Sequence, residues 1–265
     1  MPPAIPAITF LSSVDSTNNY AMQQIRTGLA KHGMAWFAHE QYAGKGQRNK
    51  QWSAAPGENI TMSIVLEPTF LSVGEQFQLS AAIALGTFDF FSKYAGDETK
   101  IKWPNDIYWR DRKAGGILIE NVIGLKPESA NDKTEKTNKD KQQAITHKYT
   151  IAGIGININQ TKFSESLLNP VSLKQITGKS FDAFELAGEL YQCILERFKQ
   201  LRNSGFKQIY EAYSSHLYKI HQTSKFKKSN RVFEATVKSV TLRGKLVLQH
   251  SIEEEYDFGE IEWIQ

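Results

Sequence analysis

A glycine-containing segment at residues 44–52 combines the residue types needed to close over an anionic ligand. It reads Gly-Lys-Gly-Gln-Arg-Asn-Lys-Gln-Trp. Its two glycines free the backbone to approach a ligand and to turn amide N–H groups inward, while Lys45, Arg48 and Lys50 add cationic donors. The segment predicts a loop that binds a phosphate or a carboxylate. A solvated basic turn is the alternative when such a run stands alone.

A second group of polar residues precedes this loop. Ser16, Thr17 and Asn18 offer two hydroxyls and an amide, which suit a compact polar ligand such as a ureido ring. The same residues would also cap a helix. Gln41 adds an amide that can donate and accept hydrogen bonds. The alternative is that Gln41 is an ordinary surface glutamine without a ligand. Together they form a candidate neutral hydrogen-bonding site.

A lysine and an aspartate follow further along the chain. Asp106 ends the run Lys-Trp-Pro-Asn-Asp, and Lys113 precedes Ala-Gly-Gly seven residues later. In a strand–turn–strand unit these two side chains would approach each other. A buried lysine beside an aspartate and glycine amides suits the polarisation of a carboxylate that reacts with a phosphoanhydride. For Lys113 alone, a simple hairpin-turn charge is the alternative.

Glycines and asparagines alternate with isoleucines at residues 153–159. Glycine weakens a strand unless a ligand or another backbone must come close, so this run is either part of a site or a packing contact with a helix. The sequence contains no Walker loop, no H-E-x-x-H motif and no G-x-S-x-G elbow. ATP, if bound, must therefore be held by other means.

Hydrophobic periodicity predicts the elements that position these residues. The residues from 126 to 148 are lysine-rich with almost no large apolar side chain, so we predict a disordered insertion there. The predicted strands lie at 8–14, 36–38, 61–66, 100–103, 107–109, 117–123 and 149–158. The predicted helices lie at 20–28, 77–94, 182–202 and 207–217.

The composition shifts near residue 217. A basic stretch and then short alternating strands about ten residues apart follow, which is typical of a small β-barrel. We therefore predict a catalytic domain at 1–218, with the 126–148 insertion, and a small C-terminal domain at 219–265. The fold class is α+β, a mixed β-sheet with helices packed on one side.

The overall composition is that of a globular protein. The chain has 265 residues, 40% hydrophobic and 23% charged, with a formal net charge of +4. One cysteine excludes a disulfide framework or a cysteine-based zinc site, and the histidines lack metal-ligand spacing. Without a signal peptide or a long apolar run, we expect a soluble cytoplasmic protein with no membrane partner.

Taken in order, the motifs resemble those of biotin protein ligases. The resemblance covers residues from about 8 to the end, apart from the insertion, and as a set the motifs are highly specific. It implies a catalytic domain like that of class II synthetases and a C-terminal SH3-like β-barrel. The motifs are Asp15–Asn18, Glu40–Arg48, Trp52, Lys102–Asp106, Lys113–Leu118, Gly153–Asn157 and Gly259–Ile261.

The resemblance implies a two-step reaction. The carboxylate of biotin attacks the α-phosphorus of ATP, with Mg²⁺, and a lysine of a biotin carboxyl carrier protein or domain then attacks biotinyl-5'-AMP. The catalytic candidates are Lys113, Asp106, Lys45 and Arg48. The implied biotin contacts are Ser16, Thr17, Asn18, Gln41, Gly44, Lys45, Gly46, Gln47, Lys113, Gly115 and Gly116. The implied ATP and adenylate contacts are Lys45, Gln47, Arg48, Trp52, Asn105, Lys113 and Asn157.

The glycine loop departs from the family pattern, which usually reads Gly-Arg-Gly-Arg with a later glycine. Here Lys45 keeps a charge, Gln47 replaces a guanidinium and Asn49 replaces the later glycine. Arg48 could substitute for the lost guanidinium. We expect residues 45–52 to be mobile without ligand and ordered with adenylate.

Other functions are weighed against this one. A lipoate–protein ligase would want a more apolar pocket, and a non-catalytic biotin-binding module would follow if the altered loop stopped the chemistry. DNA binding is not expected, because 14 residues before Asp15 are too few for a helix-turn-helix unit. The carrier is expected to belong to acetyl-CoA carboxylase or a related carboxylase. A homodimer is left open by the sequence.

Overall fold

The computed structural model describes residues 8–125 and 145–264. The helices there are α1 (Thr17–Arg26), α2 (Gln76–Ala95), α3 (Leu173–Thr177), α4 (Ala183–Ser204) and α5 (Lys207–Ser215). The strands are β1 (Thr9–Val14), β2 (Ala35–Gln41), β3 (Asn59–Leu66), β4 (Thr99–Lys102), β5 (Asp106–Trp109), β6 (Arg112–Leu125), β7 (Ile145–Asn157), β8 (Thr223–Lys228), β9 (Arg231–Val240), β10 (Leu246–Gln249), β11 (Glu253–Tyr256) and β12 (Glu262–Ile264).

The first seven strands form one mixed sheet, as predicted. Its order is β1-β2-β3-β7-β6-β5-β4. Strands β1 and β2 run parallel, whereas the other neighbours are antiparallel. The central strands β3 and β7 pair over eight residues, from Asn59 opposite Asn157 to Leu66 opposite Thr150. This long register fixes which side chains share a face of the sheet.

Side chains alternate along β3, so one face of the sheet packs on the main core. We call the opposite face the site face. Ile60, Met62 and Ile64 belong to the main hydrophobic core, which includes residues of α2, α4 and α5. Val65 instead packs with Ala21 of α1 in a separate small cluster. The prediction of helices on one side therefore holds for α2, α4 and α5. It is corrected for α1, which covers part of the opposite face because only a small apolar patch is available there.

The C-terminal residues form the small antiparallel sheet expected there. Its strand order is β11-β10-β9-β8-β12. Phe226, Val237 and Leu246 of this sheet belong to the same hydrophobic cluster as the core of the main sheet. Trp103 Nε1 also donates to the carbonyl of Gly244 at 2.9 Å. The two sheets are thus packed together, while a domain boundary after residue 218 stays a prediction.

Most predicted elements lie within a few residues of the observed ones. The short helix α3 was not predicted, because five residues are too few for an amphipathic pattern. Most of the predicted disordered insertion, residues 126–144, lies outside the described residues. The last four residues of the predicted insertion, 145–148, belong instead to β7, which begins at Ile145 and pairs with β6. In the described part of the chain, no helix is both long and apolar enough to cross a membrane.

Candidate active site

The first turn of α1 carries a polar cluster into the site face of the sheet. Thr17 and Asn18 are buried there beside Ser63 of β3. Gln41 Oε1 accepts from the Thr17 backbone N–H at 2.7 Å and from its hydroxyl at 3.0 Å. Thr17 Oγ1 and Asn18 Oδ1 both lie within donor reach of the Ser63 hydroxyl, at 2.7 and 2.6 Å. One hydrogen cannot satisfy both, so the cluster keeps acceptor capacity for a ligand.

Ser16 is buried at the N-cap of α1, but its side chain makes no capping hydrogen bond. Helix capping therefore does not explain its hydroxyl. This observation leaves the predicted ligand contact standing as a proposal for Ser16.

Two glycines of β7 make room for this cluster and for the loop. A Cβ at residue 153 would lie 2.1 Å from Asn18 Oδ1, and a Cβ at residue 155 would lie 2.3 Å from the Trp52 ring. Such distances are far below van der Waals contact, so any side chain at either position would expel its neighbour. The close approach predicted for this strand is thus made by side chains of the site itself.

Glu120 of β6 closes the other end of the polar cluster. Its Oε2 accepts from Asn18 Nδ2 at 2.7 Å, and its Oε1 lies 3.9 Å from Lys45 Nζ. Because Lys45 and Glu120 are both partly exposed, this ion pair contributes little to stability. It does bring the glycine loop onto the sheet directly above Asn18.

The glycine loop is a closed hairpin above the site. The Trp52 N–H donates to Gly44 O at 3.0 Å, and the Gly46 N–H donates to Lys50 O at 2.7 Å. A Cβ at residue 44 would lie 2.3 Å from the Trp52 carbonyl oxygen, so a glycine is required there. The hairpin holds Trp52 over β7, where its Nε1 is buried without a hydrogen-bond partner among the described residues. That N–H is a donor left for a ligand.

Gln47 ties the tip of this hairpin to the main sheet. Its Nε2 donates to Asn105 Oδ1 at 2.9 Å and to Ile117 O at 3.2 Å. Asn105 is itself buried and donates to the same carbonyl at 2.7 Å. The glutamine therefore has defined structural partners here.

The Arg48 side chain contacts the C-terminal sheet region. Its guanidinium carbon is 4.8 Å from the centroid of the Phe258 ring. A Cβ at residue 259 would lie 1.6 Å from an Arg48 nitrogen, so the guanidinium occupies the space that a side chain would fill. The backbone of Arg48 is left-handed (φ 53°). The predicted catalytic and adenylate contacts of Arg48 stay predictions.

Lys113 and Asp106 come together as predicted. Lys113 Nζ lies 2.6 Å from Asp106 Oδ2, across the β5–β6 hairpin. The lysine side chain is 35% exposed, so the expectation of a buried lysine is corrected. Its backbone is fixed by bonds to Asn169 O and from the Val171 N–H, at 2.8 and 2.9 Å. A partly open, firmly positioned ammonium–carboxylate pair is suited to binding an incoming anion.

Gly116 and Gly115 lie on opposite faces of β6. A Cβ at residue 116 would lie 3.0 Å from Asp106 Oδ1 and 3.3 Å from Lys113 Nζ, so Gly116 leaves space beside the pair. A Cβ at residue 115 would instead lie 2.4 Å from the Ile156 side chain. The missing side chain of Gly115 is therefore explained by core packing. Alternation along a strand puts neighbours on opposite faces, and the sequence prediction did not separate them.

Asn157 supports the Lys113–Asp106 pair by bonding to the backbone of Lys113. Its Nδ2 donates to Val171 O at 3.1 Å and to Lys113 O at 3.4 Å. The side chain is buried and already paired with carbonyl groups. A direct contact with the adenylate, expected from the sequence, stays a prediction.

Sequence reasoning missed Ser63 and Glu120. For Ser63, the alternation of Thr61 and Ser63 with apolar residues in β3 was the available signal. Glu120 gave no such pattern, because Leu118 and Val122 are its neighbours on the same face of β6. The sequence could not show that both residues contact Asn18, because Ser63 is 45 residues and Glu120 is 102 residues away from Asn18 along the chain.

The site as a whole combines a neutral polar cluster with a charged pair. The cluster around Thr17, Asn18, Gln41 and Ser63 can recognise an uncharged polar ring, and Lys113 can bind a carboxylate or phosphate. Among the described residues, no group of three or more His, Cys, Asp or Glu side chains could hold a metal ion.

Known proteins match this chain in sequence, and solved structures match it in fold. Residues 10–130 match the model of the Biotin/lipoate A/B protein ligase family. The biotin–[acetyl-CoA-carboxylase] ligase of Paracoccus denitrificans is 30% identical over 210 residues, which cover 77% of this chain and 78% of that protein. The bifunctional ligase/repressor BirA of Escherichia coli is 30% identical over 201 residues. Those residues cover 73% of this chain and 55% of BirA, so the chain spans about half the length of that relative.

Solved structures agree on the fold. The biotin protein ligase of Aquifex aeolicus in complex with biotin and ATP superposes with a TM-score of 0.75 at 22% identity, over 97% of this chain and 98% of that one. The Leishmania major enzyme in complex with biotinyl-5-AMP gives a TM-score of 0.62 at 21% identity, over 97% of this chain. The fold and the 30% identity to the Paracoccus ligase over more than two thirds of both proteins together establish that the chain belongs to the biotin protein ligase family.

Proposed function

We propose that the chain activates biotin with ATP and transfers it to a lysine of a biotin carboxyl carrier protein or domain. The observation that carries this proposal is the Lys113–Asp106 pair at 2.6 Å on the same face as the neutral polar cluster. Membership in the family supports it, as does the name of the Paracoccus relative. The acceptor is proposed to be the carrier domain of acetyl-CoA carboxylase or a related carboxylase.

In the first step, an oxygen of the biotin carboxylate forms a bond to the α-phosphorus of ATP, and pyrophosphate leaves. Two anions must meet, so positive charge has to offset their repulsion. Lys113 supplies that charge, and Lys45 of the glycine loop adds to it. The polar cluster holds the ureido ring of biotin, with Ser16, Thr17, Asn18 and Gln41 as hydrogen-bonding partners.

In the second step, the neutral amine of the carrier lysine attacks the carbonyl carbon of biotinyl-5'-AMP. The bond from carbonyl carbon to phosphate oxygen breaks, AMP leaves, and the amine loses a proton. Asp106 is placed to orient that amine and to accept the proton. The hairpin at residues 44–52 keeps water from the mixed anhydride until the carrier arrives.

Mg²⁺ would enter with the nucleotide. It usually binds substrate phosphates and one or two carboxylates, and the described residues offer Asp106 as the carboxylate nearest to Lys113. The ion would offset phosphate charge. Since the reaction consumes ATP, we propose the cytoplasm as its location.

The polar cluster favours biotin over lipoate. Lipoate carries an apolar dithiolane ring, so whichever acceptor oxygen of Thr17 and Asn18 does not receive the Ser63 hydrogen would be left without a donor. The family model includes both types of ligase, so this distinction depends on the cluster and not on the family.

The first experiment tests activation without an acceptor. The purified chain is incubated with ATP, Mg²⁺ and either biotin or lipoate, and pyrophosphate release and enzyme-bound adenylate are measured. We expect adenylate from biotin alone. Adenylate from lipoate would identify a lipoate ligase, and binding of biotin without any adenylate would identify a non-catalytic module.

A further inference from the structure

A separate cavity lies where the main sheet meets the C-terminal sheet. It has a volume of about 290 Å³, and its lining includes Lys102, Lys219, Ser224, Lys225 and Trp263. We call it the junction pocket. None of the predicted site residues lines it. A phosphate-sized anion with several waters fits in this volume, since one water occupies about 30 Å³ in the liquid.

Lys102 gives the junction pocket a buried positive charge. Its side chain is 8% exposed, and its ammonium lies 4.4, 5.4 and 5.2 Å from the ring centroids of Tyr108, Tyr218 and Trp263. Lys102 Nζ donates to the Tyr108 hydroxyl at 3.1 Å. No carboxylate of the described residues lies within 4.0 Å of it. Burial lowers the pKa of Lys102 to about 8, as expected for an ammonium without a close counter-ion.

Two neutral donors beside this lysine also lack partners. Ser224 Oγ and Trp263 Nε1 are buried and make no hydrogen bond to any described residue. A buried donor without a partner is destabilising, because it has lost its hydrogen bond to water. Since the two residues line the same cavity as Lys102, the orphan donors and the uncompensated charge have a common explanation in one acceptor-rich ligand.

The entrance of the junction pocket is cationic but partly neutralised. Lys219 pairs with Asp111 at 3.3 Å, and Lys225 lies 4.0 Å from Glu234. These exposed pairs can open at little cost. The inner lysine, Lys102, has no such pair, so a net positive charge lies inside the pocket.

We propose that the junction pocket binds a phosphate-type oxyanion. A phosphate group offers more acceptor oxygens than a carboxylate, and the residues that line the pocket carry an ammonium, a hydroxyl and an indole N–H. The phosphate could belong to a free anion such as phosphate or pyrophosphate, or to a nucleotide. This binding proposal is based on the contacts within the pocket and does not depend on the proposed reaction.

The test is a direct binding measurement in phosphate-free buffer. Inorganic phosphate, pyrophosphate and a nonhydrolysable ATP analogue are titrated separately by calorimetry, with acetate as the carboxylate comparison. Loss of a charged hydrogen-bonding partner weakens binding by about tenfold or more, so Lys102→Met should reduce the affinity for the phosphate ligand by that factor. Ser224→Ala and Trp263→Phe should each weaken it several-fold. Lys179→Ala, which removes an exposed lysine elsewhere, should leave it unchanged.

The variants also separate the outcomes. If Lys102→Met does not fold, the Ser224→Ala and Trp263→Phe measurements still decide the question. Binding of free phosphate or pyrophosphate that these variants weaken supports a free anion, and an effect confined to the ATP analogue supports a nucleotide phosphate. Equal affinities in all variants, or acetate binding as tightly as phosphate, would overturn the proposal.

Discussion

At the scale of single residues, Lys113 is the group on which the proposed chemistry depends. Its ammonium is 2.6 Å from Asp106 and held in place through its backbone. We expect Lys113→Ala to abolish adenylate formation, because no other described cation lies as close to Asp106. Pyrophosphate release with biotin and ATP measures this. Normal release by the variant would refute the role of Lys113.

Asp106 allows the two steps to be separated. We expect Asp106→Asn to form adenylate but to transfer biotin to the carrier at least about tenfold more slowly, because an amide cannot accept the amine proton. Single-turnover transfer from preformed adenylate measures the effect. If transfer from preformed adenylate proceeds at the normal rate, Asp106 acts only before the anhydride is formed.

Ser63 is expected to contribute to biotin affinity through its neighbours. Its hydroxyl donates to Thr17 or Asn18, so Ser63→Ala should leave an acceptor unsatisfied and weaken biotin binding by about fivefold, from a loss of about 1 kcal/mol. Calorimetry with biotin measures this. Thr87→Val is the matched control, since it removes a buried hydroxyl that bonds only within α2. An equal loss in both variants would point to general destabilisation.

At the scale of elements, the loop hairpin is held from two sides. Gln47 bonds to Asn105 of the catalytic unit, whereas Arg48 stacks on Phe258 of the C-terminal unit. A cation–π contact contributes about 0.5–2 kcal/mol, so Arg48→Ala should speed loss of bound adenylate by roughly two- to thirtyfold. Release of labelled adenylate measures this. Lys50→Ala, on the same exposed loop, is the control.

A double-mutant cycle tests the partner of Arg48. If the contact with Phe258 is responsible, Phe258→Ala should have no further effect in the Arg48→Ala background. Gly259→Ala should reproduce the loss, because its methyl group would occupy the position of the guanidinium. Additive effects of the first two variants would show that they act independently.

The elements themselves were largely predictable, while the contacts between them were not. Alternation in residues 61–66 identified β3, and apolar spacing in 77–94 identified α2, because burial on one face imposes these periods. The approach of Lys113 to Asp106 followed from a local hairpin. The contact of Arg48 with Phe258 could not be predicted, because the two residues are far apart in sequence and only the packed fold brings them together.

At the scale of the whole molecule, Lys102 links stability to pH at the junction of the two sheets. Its pKa falls from 10.5 to about 8 on folding, because burial removes the ammonium from water. Between these values the unfolded chain binds more protons, so this residue makes stability rise with pH. The charged groups that act on it are Asp106, Lys113, Lys219 and Asp111. The Tyr108 hydroxyl accepts a hydrogen bond from it, and the Tyr218 ring lies 5.4 Å away.

We therefore expect Lys102→Met to flatten the pH dependence of unfolding. Denaturant unfolding of both proteins is measured in phosphate-free buffer from pH 8 to about 9.5, below the range where free tyrosines ionise. The difference between variant and parent isolates the lysine, because the Cys193 thiol, whose pKa burial raises, contributes equally to both. The free energy of unfolding should rise less with pH in the variant than in the parent chain. An unchanged slope would mean that Lys102 keeps its ordinary pKa in the folded protein.

The turn at Gly244 has a consequence for exchanging parts between related proteins. Its carbonyl accepts the Trp103 indole N–H, and a Cβ there would lie 2.5 Å from the Phe77 ring. Trp103 precedes Asp106 by three residues, so a turn late in the chain fixes the motif that carries Asp106. A chimaera with a relative's C-terminal sheet would therefore need glycine at this position to keep the strand that begins at Asp106 in register.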